Sequence, residues 1–250
     1  MSVPNILIDE LLAEADKLWR PLLKPLCWLE GIISSGKTTA CIEICSRLNF
    51  LAIQEPADTD GFMKALLEKF YTDQSKWAFP IQLFFLMRRY AMHQIGAWNT
   101  TPGTPYAGAM IDRCYAGDGT FASMHVAKGN IDPDMFRIYR ESVTIMSRSL
   151  LPPTTLFYLD VEPEVAYERM QRRRRACEAV VPLDYLKRLR DAYEVLLVQA
   201  ETGEILPWSH AIKVIRLDWN KDIKGDEAWD EVARRFATIL DVPYVGKPNL

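Results

Sequence analysis

The sequence predicts a three-layer α/β domain, a parallel sheet covered by helices on both faces. Three observations carry this. Short apolar runs alternate with longer helical patterns along most of the 250 residues, the arrangement that buries a sheet from both sides. A G-x-x-x-x-G-K-T loop joins the first apolar run to the first helical pattern. Hydrophobic residues make up 49%, charged residues 25% and aromatics 11%, ordinary globular values that exclude disorder, collagen and a coiled coil.

Taken in order, a strand is expected over Leu26–Glu30 and a helix over Lys37–Leu48, on either side of the glycine loop. Leu51–Gln54 reads as the second strand, followed by helices over Phe62–Phe70 and Trp77–Ile95. Gly108–Asp112 is the third strand. The next helix, Pro133–Leu150, opens on a proline because the fixed φ and missing N–H suit a first turn; Pro152 and Pro153 stop it. The fourth strand is Thr154–Asp160. Helices over Pro163–Arg172 and Pro182–Gln199, a fifth strand over Ala211–Leu217 and a last helix over Asp226–Leu240 complete the chain. No internal repeat or Pro/Gly/Ser linker divides it, so residues 1–250 read as one domain, with 1–25 as an N-terminal helical extension.

Thirty basic against thirty-three acidic residues give a net charge of −3. A domain built to grip nucleic-acid backbones is normally basic, so a polynucleotide partner is not expected; a small anionic ligand held by local charge is. The cysteines (Cys27, Cys41, Cys45, Cys114, Cys177) are odd in number, scattered and without a zinc-ligand pattern, and read as reduced buried thiols. The N-terminus is acidic and amphipathic, which argues against a secretory signal or an Arg-rich transit peptide. The uncharged stretch Ala91–Ile111 is broken by Thr, Pro and Gly and does not read as a membrane span. A cytoplasmic location is expected.

Gly31-Ile32-Ile33-Ser34-Ser35-Gly36-Lys37-Thr38 matches the phosphate-binding loop, and its strand–loop–helix setting is the one the mechanism requires. Backbone N–H groups converge on phosphate oxygens, and the helix N-terminus adds partial positive charge. Lys37 is expected at the β/γ-phosphates and the Thr38 hydroxyl at Mg²⁺. Gly117-Asp118-Gly119-Thr120-Phe121-Ala122 matches a dinucleotide-type G-x-G-x-x-A pattern. The required acid at the end of a following strand is missing, because the chain there reads as a helix.

Further features narrow the reading. The second strand ends in Gln54-Glu55-Pro56 and the third in Asp112-Arg113-Cys114. Tyr71, Trp77, Pro80 and Gln82 form one block, and Arg172–Arg175 follow a helix and precede Glu178 and Pro182. In this order and spacing the set resembles the deoxynucleoside kinase family: deoxycytidine, deoxyguanosine and insect multisubstrate kinases, with herpesvirus thymidine kinases more distantly. The resemblance covers roughly Cys27 to Leu240.

That resemblance implies a P-loop kinase fold with a five-stranded parallel sheet, ATP and Mg²⁺, a deoxynucleoside acceptor in nucleotide salvage, and a homodimer. It places Gly31, Ser34, Ser35, Gly36, Lys37, Thr38 and Thr39 on the ATP phosphates, with Thr38 and Asp112 on the metal. Glu55 becomes the base for the 5′-hydroxyl, a task that suits a carboxylate at a strand end beside the loop. Arg113 is placed to meet phosphate or to keep Glu55 ionised. Arg173 and Arg175 belong to an arginine-rich lid over residues 172–181, where a planar guanidinium fork suits a transferring phosphoryl group. Tyr71 and Glu178 match the positions that hold the sugar 3′-hydroxyl, and a ribose would crowd them. Gln82 and Arg89 lie seven apart on one helix and so share a face. In the family the glutamine pairs with the base edge, and arginine at the second position, with an acid matching Asp118, marks the deoxycytidine and purine kinases. Phe121 is expected near the base. Purine deoxynucleosides or deoxycytidine are therefore expected over thymidine.

The chain departs from the family pattern at Asp60, where Trp is usual, at Ser34 in the loop, and at Cys114, where Ser is usual. It is also one residue shorter between Asp112 and Phe121. His93, His125 and His210 carry no motif and read as structural. A nucleoside monophosphate kinase would need extra basic residues for an acceptor phosphate, whereas Tyr71, Gln82 and Glu178 suit a neutral one. A non-catalytic nucleotide-binding subunit would lack Lys37, Glu55 or the lid arginines, and all are present.

Overall fold

A computed structural model describes residues 23–55, 61–175, 181–205 and 211–248. Its strands are β1 (Leu26–Glu30), β2 (Phe50–Ile53), β3 (Gly108–Asp112), β4 (Thr155–Asp160) and β5 (Lys213–Asp218). They form one sheet of order β2-β3-β1-β4-β5, parallel at every pairing. Every residue of β1 and β3 is buried, as expected for parallel strands covered on both faces.

The helices among the described residues are α1 (Lys37–Leu48), α2 (Gly61–Thr72), α3 (Gln74–Asn99), α4 (Tyr115–Ala127), α5 (Pro133–Ser147), α6 (Pro163–Arg173), α7 (Leu183–Thr202) and α8 (Asp226–Leu240). Successive strand residues face opposite sides. Trp28 meets His93 of α3 and Tyr115 of α4, whereas Cys27 lies beside Cys41 of α1. Arg47, fully buried on α1, binds Asp226 and Asp230 of α8 and so ties the two helices together.

Most boundaries agree within two residues, but α3 runs on to Asn99 and α7 to Thr202, past the expected Ile95 and Gln199, and α5 stops at Ser147, short of the expected Leu150 and of the two prolines beyond it. Helix α4 was not expected as an element; Gly117 and Gly119 make its sequence read as a loop. A Cβ at Gly117 would sit 2.3 Å from Glu30 Oε1 and would displace a carboxylate that two hydrogen bonds hold. Helix α3 starts three residues earlier than predicted because Asp73 caps it, its side chain accepting from Lys76 N–H at 3.1 Å. Of the expected N-terminal helical extension, residues 23–25 are not helical. They lead directly into β1, with Lys24 N–H donating to Thr100 O at 2.9 Å. The rest of that segment, and lid residues 176–180, lie outside the described residues. No helix among the described residues is long and apolar enough to cross a membrane.

Strand β1 lies between β3 and β4, so the chain winds away from it in both directions. The crevice beyond the carboxyl ends of the strands around this reversal is where open α/β sheets bind ligands. Two strand ends deliver side chains there, Glu55 after β2 and Asp112 from β3, while β1 ends in Glu30, buried beside them.

Candidate active site

A cleft of about 530 Å³ opens at this reversal point. One end is the glycine loop. Gly31 packs so closely that a Cβ would fall 2.9 Å from Leu159 O, and Gly36 takes a left-handed φ of 95° as it turns into α1. Lys37 is buried, and its ammonium donates to Gly31 O at 2.8 Å, Ile32 O at 2.7 Å and Ser35 Oγ at 3.1 Å. Burial, then the nearby Arg113, pulls the Lys37 pKa down to about 7. An anion beside it would restore the charge.

Thr38 Oγ1 donates to Asp112 Oδ2 at 2.6 Å. Burial raises the Asp112 pKa, against the pull of Lys37. Two hard oxygen donors side by side suit a small divalent cation. No group of three His, Cys, Asp or Glu able to hold a metal occurs among the described residues. Thr38 and Asp112 would hold Mg²⁺ by their oxygens, since that ion takes one or two protein oxygens and completes its shell with water and phosphate.

The other end of the cleft holds a charge relay. Arg89, buried on α3, donates through Nη2 to Glu55 Oε1 at 2.9 Å and through Nη1 to Asp118 Oδ1. Tyr139 donates to the second Asp118 oxygen at 2.8 Å. Burial would raise the Glu55 pKa, but Arg89 and Arg113 outweigh it and hold the carboxyl below its ordinary value. Burial wins at Asp118, pushing it up to about 6. Gln82 Oε1 and Arg89 Nε are buried without a hydrogen-bond partner among the described residues. An unpaired buried polar atom is costly, and both of these residues line the cleft.

The matched family model is described as deoxynucleoside kinase, and it covers residues 27–241. The chain belongs to the deoxynucleoside kinase family. A deoxyadenosine kinase of Dictyostelium discoideum is 26% identical over 221 residues, 88% of this chain and 83% of that one. A probable deoxycytidine kinase of fowlpox virus is 31% identical, covering 86% of this chain and 85% of its own. The fold is shared with a deoxyadenosine kinase from M. mycoides with bound dCTP, at a TM-score of 0.67 and 19% identity, over 85% of this chain and 99% of that one.

Members of this family transfer phosphate to deoxynucleosides, and the cleft of this kinase gathers most of the residues expected to do so. Ser34, Gly36, Lys37, Thr38, Thr39, Glu55, Tyr71, Gln82, Arg89, Asp112, Arg113, Asp118, Phe121, Arg173 and Arg175 all line it. Gly31 and Ser35 do not; they are buried behind the loop they shape. Glu178 lies outside the described residues, as do Asp60, Cys177 and His210. His93 is a core histidine, with Trp28 Nε1 donating to its Nδ1 at 3.1 Å. His125 is buried too, in the wall of the cleft. Burial, then Lys128, lowers it to about 4, and its ring meets the Phe70 edge. Sequence reasoning also passed over Glu30, Tyr139 and Tyr193, whose partners lie 84, 21 and 163 positions away. Only the apolar residues framing them hinted at burial.

Proposed function

We propose that this kinase moves the γ-phosphate of ATP to the 5′-hydroxyl of a deoxynucleoside in cytoplasmic nucleotide salvage. It acts as one catalytic domain, with residues 172–181 as lid and a second copy as dimer partner. One observation carries the reading: the phosphate-loop Lys37 and the Glu55–Arg89–Asp118 relay wall a single cleft.

Phosphoryl transfer is mostly positioning and charge stabilisation. Loop N–H groups and Lys37 hold the ATP phosphates. Thr38 and Asp112 hold Mg²⁺, which neutralises phosphate charge when bound. Glu55, kept ionised by Arg89 and Arg113, accepts the 5′-hydroxyl proton. Arg173 and Arg175 close on the phosphoryl group, and Tyr71 with Glu178 holds the sugar. Gln82 and Arg89 face the base edge, with Asp118 fixing the arginine and Phe121 beside it. A purine or cytosine edge pairs an amino group and a ring acceptor with these atoms. Thymine sets O4 and a methyl group against them, at about 1–3 kcal/mol. A panel of the natural deoxynucleosides with ATP and Mg²⁺, scored for monophosphate, tests the reading. No product from any of them overturns it, and thymidine as the best substrate overturns the base preference.

A further inference from the structure

Glu30, the last residue of β1, is fully buried, and its carboxyl does not line the cleft. Both its oxygens are used. Oε1 accepts from Cys114 N–H at 2.7 Å, and Oε2 accepts from the Tyr193 hydroxyl at 2.8 Å. The same hydroxyl accepts from Arg113 Nη1 at 3.3 Å. Arg113 has a left-handed φ of 69°, a conformation that β-carbons disfavour, and its N–H donates to Leu29 O at 3.1 Å. Its guanidinium stacks on Phe121 at 5.3 Å and turns Nε toward Glu55 Oε2 at 3.8 Å. Glu30 thus clamps the backbone of a strained turn, and Tyr193 clamps the side chain that the turn presents.

We propose that Glu30 and Tyr193 are positioning residues of the phosphoryl-transfer site, acting on the acceptor hydroxyl through Arg113. Neither reaches the substrate. The backbone clamp leaves the Arg113 side-chain torsions free, and Tyr193, from α7, helps set the direction of the guanidinium. A tyrosine does this with a single oxygen because it donates to Glu30 while accepting from Arg113. Chemistry of this kind depends on placement within fractions of an ångström, so a loosened arginine lowers turnover without weakening substrate binding.

The inference rests on Arg113 and Glu55 facing the acceptor, and a double-mutant cycle on the full chain separates the two claims. Tyr193→Phe removes one oxygen and little volume. It is expected to lower kcat at least about tenfold while both KM values stay within about twofold. Arg113→Ala is expected to lose more, and the double variant no more than Arg113→Ala alone. Equal kcat in Tyr193→Phe and the wild type, or losses that add, overturns the proposal. Arg113→Ala with undiminished kcat overturns the role of Arg113 and this proposal with it. If Tyr193→Phe does not fold, p-aminophenylalanine at 193 keeps a donor for Glu30 but accepts poorly from Arg113. It should show the same fall in kcat, and wild-type kcat there is equally decisive against the idea.

Discussion

At the scale of single residues, two carboxyls in one cleft are driven in opposite directions. Glu55 is held below its ordinary value by Arg89 and Arg113, so it stays ionised wherever the protein is folded near neutrality. Glu55→Gln keeps shape and nucleoside binding, and should lower kcat by roughly the 10²–10⁴ of a positioned proton transfer; a kcat near wild type removes it from the mechanism. Asp118 is raised to about 6 by burial, so the folded protein takes up a proton there that the unfolded chain leaves in solution until a lower pH. Its charged form is therefore a cost to folding above pH 6, relieved as the pH falls. The same protonation takes a charge from the partner of Arg89. Nucleoside KM should rise as pH drops through about 6, with kcat much less affected, and Asp118→Asn should flatten that rise. A wild-type KM constant from pH 7 to 5 counts against the pairing. Arg89→Met with Asp118→Ala should move relative kcat/KM toward thymidine; an unchanged ranking means the pair does not read the base. Glu55, Arg89 and Asp118 were legible because a motif fixes their spacing. Glu30, Tyr139 and Tyr193 were not, because their bonds join positions that only the fold brings together.

At the scale of elements, α6 shows how one arginine run divides its labour. Arg169 anchors the helix, donating to Trp219 O at 3.0 Å, Asn220 O at 3.2 Å and Asp222 Oδ1 at 3.0 Å, and Arg172 joins it on Asp222. Arg174 takes a left-handed φ of 53° as the helix ends. That turn separates its neighbours: Arg173 reaches Ser34 Oγ at 3.0 Å, and Arg173 and Arg175 line the cleft while exposed Arg174 does not. Arg173→Ala and Arg175→Ala should each lower kcat strongly, and Arg174→Ala mildly. Equal, salt-sensitive losses from all three would mean a diffuse basic patch instead. Most elements were legible because proline starts, apolar runs and the glycine loop are local signals. Helix α4 was hidden by its glycines, one of which is dictated by Glu30 across the sheet and not by helix formation. A contact between β1 and α4 wrote that residue, and no window along the chain contains both.

At the scale of the whole molecule, periodicity identifies strands and their parallel pairing but not their order. The sequence β2-β3-β1-β4-β5 follows from where the connecting helices cross, and it is this order that sets the ends of β1, β2 and β3 around one cleft. The outer surface carries a second whole-molecule signal. Met87, Ile95 and Trp98 are exposed along one stripe of α3, and Met135, Ile138 and Ile145 along α5, which packs beside it. Trp98 is 69% exposed and Ile145 65%. Single exposed apolar residues need no explanation, but three on each of two helices in contact is the composition expected where a second copy packs. The active-site cleft opens elsewhere, among the phosphate loop and the inner faces of α3 and α4. We propose this face as the contact between the two copies of the proposed dimer, since a two-fold dimer pairs one surface with itself. The wild type should therefore sediment as a dimer at micromolar concentration. Trp98→Glu with Ile145→Glu sets two desolvated charges in the apolar contact, and each again on the partner, and should yield monomers. Both positions are exposed in the single chain, so the thermal midpoint of the monomer should move little. A monomeric wild type, or a double variant that still sediments as a dimer, rules this face out as the interface.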